Sequence, residues 1–192
     1  MIVLCGMTCS GKSSIQKHLQ KLGYNKIVTY TTRPKRPNEV EGEDYHYISL
    51  EEFKSKVENG FFAEYKVYHT VAGDWYYGTA NEDLENSSGH SVIILTPRGL
   101  FDILPKYRNC IYSVYIDADL EDIRQRLIER GDDEQESERR LAHDIKDFRS
   151  VGVLVDDFID NTGDRTIEDV AQEIIKNYWQ GIRVKDLEKD YE

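Results

Sequence analysis

Nine residues near the start of the chain have types and spacing suited to one kind of chemistry. Gly6-Met7-Thr8-Cys9-Ser10-Gly11-Lys12-Ser13 reads G-x-x-x-x-G-K-S, and Ser14 follows it. In such a loop the glycines let successive backbone N–H groups turn toward phosphate oxygens. Lys12 can reach the β- and γ-phosphates of ATP, and the Ser13 hydroxyl can ligate Mg2+. Gly6, Met7, Thr8, Cys9, Ser10, Gly11, Lys12, Ser13 and Ser14 are therefore the expected ATP site, with Ser13 as the metal ligand and Lys12 as the catalytic cation. The alternative is a chance glycine-rich turn. A working phosphate loop needs a strand before it and a helix after it, and both patterns are present. Met1–Cys5 is an apolar run, and Ile15, Leu19 and Leu22 recur at helical spacing. The start of that helix adds partial positive charge at the phosphates.

A second cluster, Thr31-Thr32-Arg33-Pro34-Lys35-Arg36-Pro37, gathers three cations in an acidic chain. The prolines stiffen it and disfavour helix. Arginine forks match phosphate oxygens two at a time. A solvated basic turn is the alternative, but a phosphoryl-transfer enzyme needs a second phosphate site, and this segment could be one.

The elements that must position these residues follow from hydrophobic periodicity. Short apolar runs at Met1–Cys5, Asn25–Val28, Ser91–Leu95, Cys110–Ile116 and Asp157–Ile159 are expected strands. Helical patterns cover Lys12–Leu22, Pro97–Leu104, Leu120–Glu129, Ser137–Phe148 and Ile167–Trp179. This alternation predicts an α/β fold, a doubly wound parallel five-stranded sheet with its ligand beyond the strands' carboxyl ends. The rhythm breaks across residues 30–89, where Tyr45–Ile48, Phe61–Tyr68 and Trp75–Gly78 read as strands. Ser49-Leu50-Glu51-Glu52 opens a short helix ending near Asn59-Gly60. That section is expected to be a small mixed β/α subdomain inserted into a core of residues 1–29 and 90–180. Residues 130–140 are the expected lid, with Gly131–Glu136 a polar segment that has little to bury. Residues 181–192 are the expected polar tail.

Composition bounds the rest. The chain has 192 residues and a net charge of -11, from 25 Lys and Arg against 36 Asp and Glu. That balance argues against a nucleic-acid-binding or anionic-membrane surface. Cys5, Cys9 and Cys110 are few and odd in number, which fits reduced thiols and a cytoplasmic location. The first strand begins at Met1, so no signal peptide is expected. No stretch approaches the ~20 apolar residues that span a bilayer. The histidines have no metal-ligand spacing.

From Ile2 to about Trp179 the chain resembles the guanylate kinases. The segment Thr31–Tyr45 is similar to that family's T-T-R-x-x-R-x-x-E-x-x-G-x-D-Y signature. Further matches are Gly60-Phe61-Phe62-Ala63-Glu64, Tyr76-Tyr77-Gly78-Thr79 and Arg126-Leu127-Ile128-Glu129-Arg130-Gly131. The resemblance implies transfer of the γ-phosphoryl of ATP, with Mg2+, to GMP or dGMP. It implies that Arg33, Arg36, Tyr45 and Tyr77 hold the acceptor's phosphate, and that Thr29, Glu64 and Thr79 surround its base. A carboxylate at Glu64 can accept from both the N1–H and the amino group of guanine. Arg126 and Arg130 are four apart, so one helix end can carry both. The resemblance implies that Arg126, Arg130 and Arg140 close on the phosphates and that Asn161 lies near the adenine.

Two departures concern the base. Ile94 and Thr96 stand where the family has aspartates, so Thr96 offers a neutral hydroxyl. The loop Tyr68–Trp75 is about four residues longer than usual. Guanine is therefore expected to lead with reduced discrimination. Other acceptors stay open, such as a different (deoxy)nucleotide or a phosphorylated sugar, as does a non-catalytic phosphopeptide-binding module. A monomer and a homodimer are equally open.

Overall fold

The computed structural model describes residues 1–70 and 73–189. In chain order its elements are β1 (Ile2–Cys5), α1 (Lys12–Lys21), β2 (Asn25–Lys26), β3 (Tyr30–Thr31), β4 (His46–Tyr47), α2 (Leu50–Glu58), β5 (Phe62–Thr70), β6 (Gly73–Ala80), α3 (Asn81–Glu85), β7 (Ser91–Ile94), α4 (Pro97–Tyr107), β8 (Tyr112–Asp117), α5 (Leu120–Arg130), α6 (Glu134–Asp147), β9 (Asp157–Asp160) and α7 (Ile167–Lys189).

Five strands form a parallel sheet in the order β2-β7-β1-β8-β9. Alternation along β1 decides its two faces. Val3 and Cys5 enter one core with Ile93, Leu100 and Ile103 of β7 and α4. Ile2 and Leu4 enter the other with Ile15 and Leu19 of α1 and Val170 and Ile174 of α7. Burial on both faces explains why β1 is apolar throughout. Each fully buried aliphatic side chain contributes about 1.5–3 kcal/mol. The Gly6–Gly11 loop leaves the carboxyl end of the central strand.

The second sheet has four strands in the order β4-β3-β6-β5, with β3 parallel to β4 and antiparallel to β6, and β5 antiparallel to β6. Fully buried Phe53 of α2 stacks on Phe62 of β5 at 4.4 Å and anchors the helix beneath it. The Ser49 side chain caps α2 by accepting from the Glu52 N–H at 3.1 Å.

Three expectations are corrected. Residues 68–75 are strand rather than loop at both ends, with β5 running to Thr70 and β6 starting at Gly73; Val71 and Ala72 lie outside the described residues. Residues 130–140, the expected lid, are mostly helix, since α6 begins at Glu134. Asp133 caps it by accepting from the Glu136 N–H at 2.8 Å, which leaves only Gly131–Asp133 as a connector. The polar tail from residue 181 is helical to Lys189 as part of α7; the rest of that tail, 190–192, lies outside the described residues.

Candidate active site

The loop Gly6–Gly11, the expected phosphate loop, is shaped by close approaches that only small residues allow. A Cβ on Gly6, at φ +155°, would stand 2.6 Å from Ser10 Oγ and 2.7 Å from the Ile116 carbonyl. A Cβ on Gly11, at φ +99°, would strike the Asn161 side-chain amide. Lys12 Nζ donates to the carbonyls of Gly6 at 2.7 Å and Met7 at 2.6 Å, and to Ser10 Oγ at 3.3 Å. Burial pushes its ammonium down to about 8, while Asp144 acts in the opposite direction. Ser13 and Ser14 are exposed in the first turn of α1.

Two residues implied to touch ATP brace the loop from behind. Asn161 is 2% exposed and its Nδ2 donates to the Ser10 carbonyl at 2.8 Å. Arg126 donates through Nη2 to the Asn161 carbonyl at 2.8 Å and through Nη1 to the Cys9 carbonyl at 3.4 Å. Both side chains are engaged with backbone under the loop.

The Thr31–Pro37 segment holds its first arginine firmly. Arg33 is 5% exposed, and its Nη2 donates to Glu39 Oε1 at 2.7 Å. The other Glu39 oxygen accepts from the Arg36 backbone N–H at 2.8 Å and from the Tyr47 hydroxyl at 2.7 Å. Burial alone would raise Glu39, but Arg33, the Arg36 N–H and Tyr47 together bring its carboxyl down to about 2. The Arg33 guanidinium lies 5.4 Å from the centre of the Tyr45 ring, and Tyr45 and Tyr77 are 5.8 Å apart edge to face. Arg33, Tyr45 and Tyr77 are thus brought together, with Arg36 exposed at the rim.

The residues implied for the base also converge. Glu64 on β5 faces Thr79 on β6 in the antiparallel register, and the Thr79 hydroxyl donates to Glu64 Oε1 at 2.5 Å. Burial pushes the Glu64 carboxyl up to about 7, partly offset by that hydrogen bond. Its second oxygen packs on Gly99 in the first turn of α4. Thr96 borders the same glycine, and its hydroxyl accepts from the Gly99 N–H at 3.1 Å as the cap of α4, a role the Thr-Pro pair signals. Thr29 makes a separate contact: its backbone carbonyl accepts from the His46 N–H at 2.9 Å.

The arginines of the expected lid are held by neighbouring carboxylates. Arg130 donates to both oxygens of Asp132 through Nε and Nη2. Arg140 Nε donates to Glu136 Oε1 at 2.8 Å, and Arg139 donates to both oxygens of the same carboxylate.

Four further residues make contacts around these groups, and spacing alone did not single them out: Glu39, Tyr47, Lys66 and Asp144. Lys66 follows Glu64 by two along β5 and pairs with Asp147 of α6 at 2.5 Å. Asp144 Oδ2 accepts from the Thr8 N–H at 2.6 Å. Glu39 had a signal in the E of the Thr31–Tyr45 signature. Among the described residues, no group of three or more His, Cys, Asp or Glu could hold a metal ion, and no helix is long and apolar enough to cross a membrane.

The family model for guanylate kinase matches residues 1–177. A guanylate kinase of Thermotoga maritima is 29% identical over 180 residues, covering 91% of this chain and 84% of the relative. One from Wolinella succinogenes is 33% identical over 158 residues, covering 79% and 72%. Among solved structures, the guanylate kinase from Anaplasma phagocytophilum superposes with a TM-score of 0.68 at 25% identity, covering 94% of this chain and 85% of its own.

Proposed function

The chain belongs to the guanylate kinase family, and we propose that it moves the γ-phosphoryl group of ATP to the phosphate of GMP or dGMP. As a nucleoside monophosphate kinase it needs two phosphate sites and a base site between its two sheets. The observation that carries the acceptor assignment is the buried carboxylate of Glu64, aimed between β6 and α4 with Thr79 on one oxygen. Once ionised, it can accept from the N1–H and the 2-amino group of guanine together. Adenine presents an N1 acceptor there and leaves the charge unpaired, at a cost of about 1–3 kcal/mol or more.

Arg33, fixed by Glu39, together with Arg36, Tyr45 and Tyr77, holds the acceptor phosphate in this reading. Thr29, Glu64, Thr79 and Thr96 surround its base. The loop from Gly6 to Ser14 holds the donor phosphates, with Lys12 leaving its loop carbonyls to meet the β- and γ-oxygens. Arg130 and Arg140 exchange Asp132 and Glu136 for phosphate oxygens, and Arg126 and Asn161 keep the loop in shape. These cations stabilise charge on the transferred group, the main demand of phosphoryl transfer.

Mg2+ fits this donor set. It binds readily through one hydroxyl and the nucleotide's own phosphates, without an all-protein cage, and Ser13 is exposed beside Lys12 to supply that hydroxyl. When bound, the ion neutralises charge on the β- and γ-oxygens.

ADP release coupled to a reporter, run with ATP and each common nucleoside monophosphate and deoxynucleoside monophosphate, tests the reading. GMP or dGMP should give the highest turnover. Turnover on none of them would leave a binding module as the better account.

A further inference from the structure

Asp144 stands in a position that a simple helix-surface carboxylate would not occupy. Its Oδ2 accepts from the backbone N–H of Thr8 at 2.6 Å, inside the phosphate loop and across 136 residues of sequence. Lys12 is near enough to act on it, and burial raises its carboxyl, with the Thr8 N–H and Lys12 opposing that rise. It borders a cleft of about 110 Å3 shared with Tyr68, Arg139, Arg140 and His143. Arg140 lies one turn earlier on α6, so the helix turns a cation and an anion toward the same region.

A phosphate-loop N–H is built to meet an anion. Here the anion is a side chain of the protein's own α6. Carboxylate and phosphoryl oxygens compete for the same hydrogen, and two anions beside one loop repel each other. We propose that Asp144 is an internal competitor of the donor nucleotide: it takes the Thr8 N–H, and ATP must displace it, and with it this face of α6, to bind. Asp144 thereby sets donor affinity below what the loop alone provides, and it couples arrival of ATP to release of the helix that carries Arg140. This rests on the ATP-binding reading of the loop.

The test is calorimetric titration of a non-hydrolysable ATP analogue, without acceptor, into the wild-type chain and into Asp144→Asn, Asp144→Ala and Asp147→Asn. The last removes a carboxylate three residues along α6 that pairs with Lys66 instead of the loop. Both Asp144 variants should bind the analogue at least about fivefold more tightly than wild type, as expected on removing a competing charge. Asp147→Asn, which loosens the Lys66 pair of α6, should change binding by less than about twofold. A merely structural role for Asp144 predicts equal or weaker binding when it is replaced, and either result overturns the proposal. Equal tightening in Asp147→Asn also overturns it, because the effect would then be one of overall charge. If the wild-type chain bound no analogue at all, the ATP-site reading itself would fail. Wild-type binding without a gain in the Asp144 variants would sink only the competitor.

Discussion

Glu64 and Gly99 are in contact across the junction of the two sheets: a Cβ built on Gly99 would stand 2.7 Å from Glu64 Oε2. The absence of a side chain at residue 99 is what lets the β5 carboxylate lie against the first turn of α4. Gly99→Ala should therefore push the carboxylate off its position. We expect the KM for GMP to rise about tenfold or more while the KM for ATP stays put, since a misplacement of about 1 Å can cost up to a hundredfold. Unchanged acceptor kinetics in a folded variant would show that the carboxylate's placement does not matter to the base.

Acidity at the same residue gives a prediction with a definite sign. Burial holds the folded Glu64 carboxyl at about 7, above the ordinary 4.5, with Thr79 lowering it and Asp102 adding to the rise. Between those values the folded chain binds more protons than the unfolded one, so this group's contribution to stability falls as pH rises through that window. Glu64→Gln should raise Tm by several degrees at about pH 8 and change little at about pH 5. The carboxylate form is the one that accepts both guanine donors. The wild-type KM for GMP should thus fall as pH rises through about 7, and Glu64→Gln should lose that slope. A KM that rises over this range contradicts the assignment.

Lys12 is the loop's own cation. Lys12→Ala should lower kcat by about a hundredfold or more, the scale of losing a major electrostatic contact to the transition state. Single-turnover rates on a variant shown to be folded give the answer, and near-wild-type chemistry would remove Lys12 from the mechanism.

Glu39 makes no contact with substrate in this account, yet it fixes Arg33, the Arg36 backbone and Tyr47 at once. Glu39→Gln should weaken the charge-assisted bond to Arg33 and raise the acceptor KM about tenfold, with ATP binding spared. Arg36→Ala should raise the acceptor KM and lower kcat, again sparing ATP. Loss of ATP affinity in either variant would put this loop on the wrong substrate.

Much of this site was legible because its parts are contiguous. The G-x-x-x-x-G-K-S loop and Thr31–Pro37 each pack their chemistry into a few neighbouring residues, so spacing alone reveals them. Buried strands such as Ile2–Cys5 are apolar throughout and stand out for that reason. Contacts made by packing leave no such trace. Asp144 meets Thr8 only because α6 folds back over the loop, and Lys66 meets Asp147 the same way. Arg126 and Asn161 have types suited to a nucleotide, yet the fold spends both on loop carbonyls. Two-residue strands such as Tyr30–Thr31 are too short to show alternation. The polar run after Gly181 looks like a tail, although α7 continues to Lys189. Gly131–Glu136 reads as loop because its charges hide the Asp133 cap that starts α6.

The central claim is that a carboxylate at Glu64 makes this kinase a guanylate kinase, and kcat/KM across the full monophosphate panel, for the wild type and Glu64→Ala, tests it most directly. GMP or dGMP should lead in the wild type, by less than a second carboxylate at Thr96 would give, and that lead should collapse in Glu64→Ala while turnover with other bases persists. A pyrimidine nucleotide or a sugar phosphate outperforming both, or an undiminished guanine preference in Glu64→Ala, would contradict it.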